Sequence, residues 1–301
     1  MKLTILGCHS ATPRINTHPT SQVLYIRNHI FLIDCGEGTQ VLLRKHKIKF
    51  SRIKHIFISH LHGDHYFGLV GLISTFRLLS RQADLHIYGP KGIKEVITLQ
   101  MKLADSWTNY GLYFHELNSK QSELIFEDEK VEVRTIPLDH RIYTNGFLFK
   151  EKPAPRKLNA NKVREADVDV AYYSKLKQGA DVYNNDGQLV KNQDVTFPGP
   201  EPKSYAFCSD TGYDPAIIPI INKVDALYHE STFLQQHQRL AELTKHSTAI
   251  DAAKIAQAAN AGKLILGHFS SRYEDVEDFR REAQTEFSDV ELAESGKVFE
   301  I

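Results

Sequence analysis

The sequence predicts an α+β protein: a β-rich start, then alternating strands and helices, with one polar arm inserted in the second half. Three observations point there. Strand-like segments separated by turn-prone residues crowd the first 33 positions. Between Lys54 and Leu79 a strand pattern runs into a helical one across a loop that carries His60, His62, Asp64 and His65. From Glu151 to Thr196 the chain turns polar between two sets of prolines.

Length and composition bound the answer. At 301 residues the chain exceeds the usual domain size, yet one large layered α/β body can reach it. Apolar residues make up 42% and charged residues 25%, a globular balance. Lys+Arg and Asp+Glu are equal at 37 each, so no whole-molecule field draws the chain onto nucleic acid, and such a role requires a local basic patch. Cys8, Cys35 and Cys208 are distant and odd in number, which suits small buried core residues in a reducing compartment. No apolar run is long enough for a membrane span, and MKLTILGCHSATP turns polar too soon for a signal peptide. The expected location is the cytoplasm, away from membranes.

Met1–Leu6, Gln22–Ile26 and His29–Ile33 read as a β-meander. Asp34-Cys35-Gly36-Glu37-Gly38-Thr39 then opens a helix over Gln40–His46. Asp34 either orients neighbouring histidines by hydrogen bonds or belongs to an ordinary capping turn. Lys54–Ser59 alternates like a buried strand, and Tyr66–Leu79 has helical spacing, so His60, His62, Asp64 and His65 sit on the loop between them. Imidazole and carboxylate are the donors that suit zinc, and four of them in six residues is far denser than chance. A strand at Leu85–Tyr88 and a helix from Ile93 follow.

The stretch Ser59–Gly68, SHLHGDHYFG, resembles the H-x-H-x-D-H signature of metallo-β-lactamase-fold hydrolases. That resemblance implies a four-layer αββα sandwich with two metals at the strand ends. It assigns His60 and His62 to one metal, and Asp64 and His65 to the other. Glu129–Pro137 is a strand that delivers His140, which then becomes the third ligand of the first metal. Ser204–Phe207 runs into Asp210, whose two carboxylate oxygens suit a bridge between two ions. Val224–Tyr228 ends at Glu230, Ser247 or Thr248 caps a helix over Ala249–Ala261, and Lys263–Leu266 delivers His268 to the second metal. The set is thus His60, His62, His140, Asp64, His65, His268 and Asp210.

Glu151–Thr196 is expected to be an inserted arm, not a second domain, in a single domain spanning 1–301. Its opening segment, Glu151–Arg164, has Lys152, Arg156, Lys157, Lys162 and Arg164 against Glu151. That is either a solvated basic surface or a nucleic-acid contact, with Lys152, Arg156 and Lys157 as candidates.

Four further segments narrow the family: Leu32–Gln40 (LIDCGEGTQ), His229–Phe233 (HESTF), His246–Ala249 (HSTA) and Gly267–Tyr273 (GHFSSRY). With the inserted arm, they are similar to ribonuclease Z over nearly the whole chain. The resemblance implies a zinc-dependent homodimer, two zinc ions per subunit with other divalent metals able to serve, that cuts the 3′ trailer from precursor tRNA. It implies Asp64 as proton acceptor, His246 as proton donor to the leaving oxygen, Glu230 orienting His246, and Arg272 as phosphate clamp. One segment departs from the family: bacterial arms carry a GxPPGP-like tip, whereas Ala166–Tyr173 reads ADVDVAYY. A different grip on tRNA is therefore expected. Two other functions fit parts of the pattern: a phosphodiesterase of the same fold acting on small substrates, and a non-catalytic, metal-stabilised RNA-binding protein.

Overall fold

Short apolar runs broken at turns build the first strands, β1 (Lys2–Gly7), β2 (Ser21–Ile26) and β3 (His29–Ile33), in a computed structural model that describes residues 1–301. They pair antiparallel, with Leu3 opposite Leu24 and Leu24 opposite Phe31. From Asp34 the pattern becomes strand and helix in turn: α1 (Thr39–Lys45), β4 (Ile53–Phe57), α2 (Gly63–Tyr66), α3 (Leu69–Leu78), β5 (Leu85–Pro90), α4 (Ile93–Leu103) and β6 (Leu112–Leu117). Strands β3 to β6 run parallel, a pairing that requires crossovers, and the helices supply them. The helix expected over Tyr66–Leu79 is split at Phe67 and Gly68. There the motif loop packs onto the Asp34–Gly38 loop so closely that a Cβ on Gly68 would lie 2.2 Å from the Gly36 carbonyl oxygen. The Gly68 N–H donates to the Cys35 carbonyl at 2.9 Å.

The second sheet starts with β7 (Leu124–Glu127), β8 (Val131–Leu138) and β9 (Thr144–Glu151). Residues Glu151–Pro202 then form a compact unit of their own, while Met1–Lys150 and Lys203–Ile301 form the other. The smaller unit contains β10 (Lys157–Leu158), α5 (Ala160–Glu165), α6 (Tyr173–Lys177), β11 (Val182–Tyr183), β12 (Leu189–Val190), α7 (Asn192–Val195) and β13 (Thr196–Phe197). Its core is Val163, Val168, Leu176, Val182 and Val195. Asn159 caps α5, and Asp169 caps a single 3-10 turn at Val170–Tyr172, so the segment without glycine or proline is ordered by side-chain capping. Lys175 lies over the Tyr172 ring at 5.4 Å.

The larger unit continues with β14 (Ser204–Cys208), β15 (Ala226–Glu230), α8 (Gln238–Thr244), α9 (Ala249–Ala258), β16 (Leu264–Gly267), α10 (Glu277–Ala283), β17 (Val290–Leu292) and β18 (Val298–Glu300). Two seven-stranded sheets result, ordered β18-β1-β2-β3-β4-β5-β6 and β17-β16-β15-β14-β9-β8-β7. Their inner faces meet through aromatic rings: Phe57 and Phe147 are 5.4 Å apart, Phe31 and Phe149 5.7 Å. The other face of the first sheet buries Ile56 and Ile87 against Leu42, Leu72 and Phe76 of the helices. Helix α9 covers the second sheet with Ala252, Ala253 and Ala256, whose small side chains allow close approach. Helix, sheet, sheet and helix thus stack as the αββα sandwich. No helix is long and apolar enough to cross a membrane.

All three cysteines are free and buried, and burial pushes the Cys8 and Cys35 thiols up to about 12 and raises that of Cys208. Reaction requires the thiolate. Iodoacetamide at pH 8 is therefore expected to label none of them in the native protein and all three in denaturant. Native labelling faster than global unfolding would contradict this packing.

Candidate metal centre and catalytic cleft

The C-terminal ends of strands converge here, so side chains distant in sequence meet. The loop after β4 brings His60, His62, Asp64 and His65; β8 is followed by His140, β14 by Asp210 and β16 by His268. Ligand atoms of His60, His62, His140 and Asp210 lie within 4.8 Å of one another, as do those of Asp64, His65 and His268. His62 Nδ1 is 3.1 Å from His60 Nε2 and 3.3 Å from His140 Nε2. Asp210 faces both groups. Its Oδ2 is 3.5 Å from His60 Nε2, and its Oδ1 is 3.3 Å from both His65 Nε2 and His268 Nε2. Asp64 Oδ2 is 3.3 Å from the same two nitrogens.

The far nitrogens of four rings are held by other groups, which fixes where the near ones point. His65 Nδ1 donates to Asp34 Oδ2 at 2.7 Å. Asp34 is fully buried with φ +52, and its other oxygen accepts from the Ser59 N–H at 2.7 Å. His60 Nδ1 meets Ser59 Oγ at 3.0 Å, and His140 Nδ1 donates to the Lys245 carbonyl at 2.8 Å. The Thr232 hydroxyl donates to Glu230 Oε2 at 2.7 Å and so accepts from His268 Nδ1 at 2.8 Å. Of the two readings of Asp34, the structure shows the orienting one. Ser59, Thr232 and Lys245 were missed from sequence; HESTF contained Thr232 but gave no hint that its hydroxyl reaches His268.

The donor set fits divalent cations on three counts. His65 Nε2 is buried without a hydrogen-bond partner. The 3.1–3.3 Å spacings match the roughly 3.3 Å edge of a tetrahedron with metal–nitrogen distances of about 2.0–2.1 Å. Asp34, Asp64, Asp210 and Glu230 are all buried or nearly so, and each pairs with histidine or neutral groups instead of Lys or Arg. Burial lowers His60, His140 and His62, the last to about 4, keeping them neutral as ligands must be. Burial also opposes charge on His65, but Asp210, Asp64 and Asp34 outweigh it and raise the ring well above its ordinary value. Excess negative charge there calls for a cation. For Asp64 and Asp210 burial again works against ionisation, yet the surrounding imidazoles hold both carboxyls below the usual range.

Beside the metal groups opens a cleft of about 560 Å3, lined by Asp64, Asp210, His246, Phe233, Arg141 and Arg272 among others. His246 Nδ1 donates to Glu230 Oε1 at 2.7 Å, which leaves Nε2 as its free edge. Burial disfavours the imidazolium, but the Glu230 charge and hydrogen bond prevail and raise His246 to about 9. Glu230 is itself pinned by the N–H groups of Thr211 at 3.0 Å and Thr232 at 2.9 Å. Arg141 was not anticipated; a lone arginine after His140 has no sequence pattern. Of the other candidates, Lys157 is exposed on β10, Lys152 is half-buried, and Arg156 Nε donates to Thr196 Oγ1 at 2.7 Å within its own unit.

A profile of the family described as Anti-Pycsar protein Apyc1 matches residues 1–154. A ribonuclease Z of Bacteroides fragilis is 45% identical over 292 residues, covering 97% of this chain and 96% of the relative. The chain belongs to the ribonuclease Z family. Among solved structures, human tRNase Z, short form, covers 100% of this chain and 99% of its own at TM-score 0.72 and 28% identity. The metallo-β-lactamase-fold protein YhfI of Bacillus subtilis matches at TM-score 0.70 and 19% identity over 99% of both chains, which shows the shared fold. The ribonuclease Z relatives span the smaller unit as well as the larger, whereas the profile stops at its start.

Proposed function

We propose that the chain is a zinc-dependent endoribonuclease that removes the 3′ trailer from precursor tRNA in the cytoplasm and works as a homodimer. The observation that carries this reading is the two-sided Asp210 between two donor groups, beside a cleft that holds the His246–Glu230 pair. His60, His62, His140 and Asp210 would hold one zinc ion, and Asp64, His65, His268 and Asp210 the other; bound there, the metals would supply a water acidic enough to ionise near neutral pH and positive charge to offset the phosphate. Arg272 and Arg141 on the cleft wall hold phosphate oxygens. Asp64 accepts the proton of the attacking water at its carboxylate. His246 Nε2 gives a proton to the departing 3′ oxygen, and Glu230 keeps that nitrogen aimed at it.

Elemental analysis of zinc-loaded protein is expected to find about two ions per chain, falling to one or none in Asp210→Ala. An unchanged count in that variant would remove the bridging role.

A small-substrate phosphodiesterase has one observation in its favour: every donor and cleft residue lies outside Glu151–Pro202, whose eight Lys+Arg are matched by eight Asp+Glu. Comparing kcat/KM for precursor tRNA and bis(p-nitrophenyl) phosphate separates the two. Remote binding energy should favour the tRNA by at least about 100-fold, and preference for the small ester would reverse the assignment.

A further inference from the structure

A second cavity, of about 520 Å3, opens at the far end of the first sheet. It lies where β4 and β5 begin, whereas the His60–His65 loop leaves the other end of β4. Arg44 at the end of α1, Lys49 and Phe50 before β4, Phe76 and Leu79 at the end of α3, and Arg81 form its walls. Three cations line it and no acidic residue does.

Arg81 is 7% exposed and makes no ion pair, the only carboxylate acting on it being that of Asp84, which does not line the cavity. Its guanidinium donates to the carbonyls of Ala83, Asp84 and Phe50 at 2.6, 2.7 and 3.5 Å. Its Cζ lies 4.8 Å from the Phe76 ring centroid and 5.4 Å from that of Tyr110. Arg44 sits over Phe50 at 5.5 Å, so its guanidinium and an aromatic face are presented together. Neither Arg44 nor Lys49 makes an ion pair, and both are exposed. A buried cation flanked by two solvated ones generates a positive potential that a bound anion would offset. The size falls within the range of small-molecule sites, and the apolar walls ask for more than an inorganic ion.

We propose that this cavity binds a mononucleotide, with the phosphate on Arg44 and Lys49 and the base against Phe50 and Leu79. It shares no residue with the catalytic cleft and does not depend on the reaction assigned there.

The test is equilibrium dialysis of AMP against the zinc-loaded protein and the double variant Arg44→Glu/Lys49→Glu, with adenosine and inorganic phosphate as parallel probes. Both changed residues are exposed, and unaltered turnover of bis(p-nitrophenyl) phosphate reports an intact fold. The wild type is expected to bind one more AMP per chain than the double variant. At that site adenosine and phosphate should each bind at least about tenfold more weakly than AMP, since each lacks one half of the contacts. Arg44→Gln and Lys49→Gln alone, with smaller charge changes, are expected to weaken AMP severalfold. Equal AMP stoichiometry and affinity in wild type and variants would overturn the proposal, and phosphate binding as tightly as AMP would overturn the nucleotide assignment.

Discussion

Asp64→Ala is expected to abolish RNA cleavage while leaving precursor tRNA bound. One Asp64 oxygen stands 3.3 Å from both His65 Nε2 and His268 Nε2, so the change removes a donor from the second metal group. The same carboxylate lines the cleft and is the proposed proton acceptor. A positioned base contributes about 10²–10⁴ in rate. Disturbing a metal position adds to that, so kcat should fall by at least about 10³. The proposed phosphate contacts are made by other side chains, among them Arg141 and Arg272 of the cleft wall, so affinity should change little. A variant that keeps more than about a tenth of wild-type turnover would place the base on another residue.

The second large effect is expected on binding. Replacing Glu151–Pro202 with a short Gly/Ser linker should raise KM for precursor tRNA strongly and spare bis(p-nitrophenyl) phosphate. The unit is neutral overall, but Lys157, Lys162, Arg164, Lys175, Lys177 and Lys191 are all exposed. Each phosphate they neutralise adds about one to the slope of log affinity against log salt. The replacement should lower that slope by up to about five. Arg156 is not counted among them, because Thr196 already takes its Nε. Unchanged tRNA kinetics with reduced small-substrate turnover would show that the unit supports the catalytic body instead of gripping RNA.

Legibility in the sequence followed the distance over which each feature is encoded. His60, His62, Asp64 and His65 are plain because one loop holds them, and His140, Asp210 and His268 follow strand-like runs that mark them out once the H-x-H-x-D-H resemblance asks for further ligands. Edge strands β6, β7, β17 and β18 give no clear signal; they are short or bury few residues. The orienting contacts were harder still. Thr232 reaches His268 across 36 positions, and Lys245 offers His140 a backbone carbonyl that any residue carries. The sequence of Glu151–Thr196 reads as a polar chain with no long apolar period. Its buried residues, Val163, Val168, Leu176, Val182 and Val195, come from separate short elements and share no helix or strand period. There a small core forms between turns, and spacing rules have nothing to detect.

The most direct measurement is to map the cut made by the zinc-loaded protein in a transcribed precursor tRNA, reading both new ends. One cut is expected, immediately after the discriminator nucleotide, with a 3′-hydroxyl on the tRNA and a 5′-phosphate on the trailer. That outcome requires water to attack the phosphorus with the 3′ oxygen as leaving group, the step for which His246 is the proposed proton donor. Cuts scattered along the RNA, a 3′-phosphate on the tRNA, or no cut by protein that still hydrolyses bis(p-nitrophenyl) phosphate would contradict it.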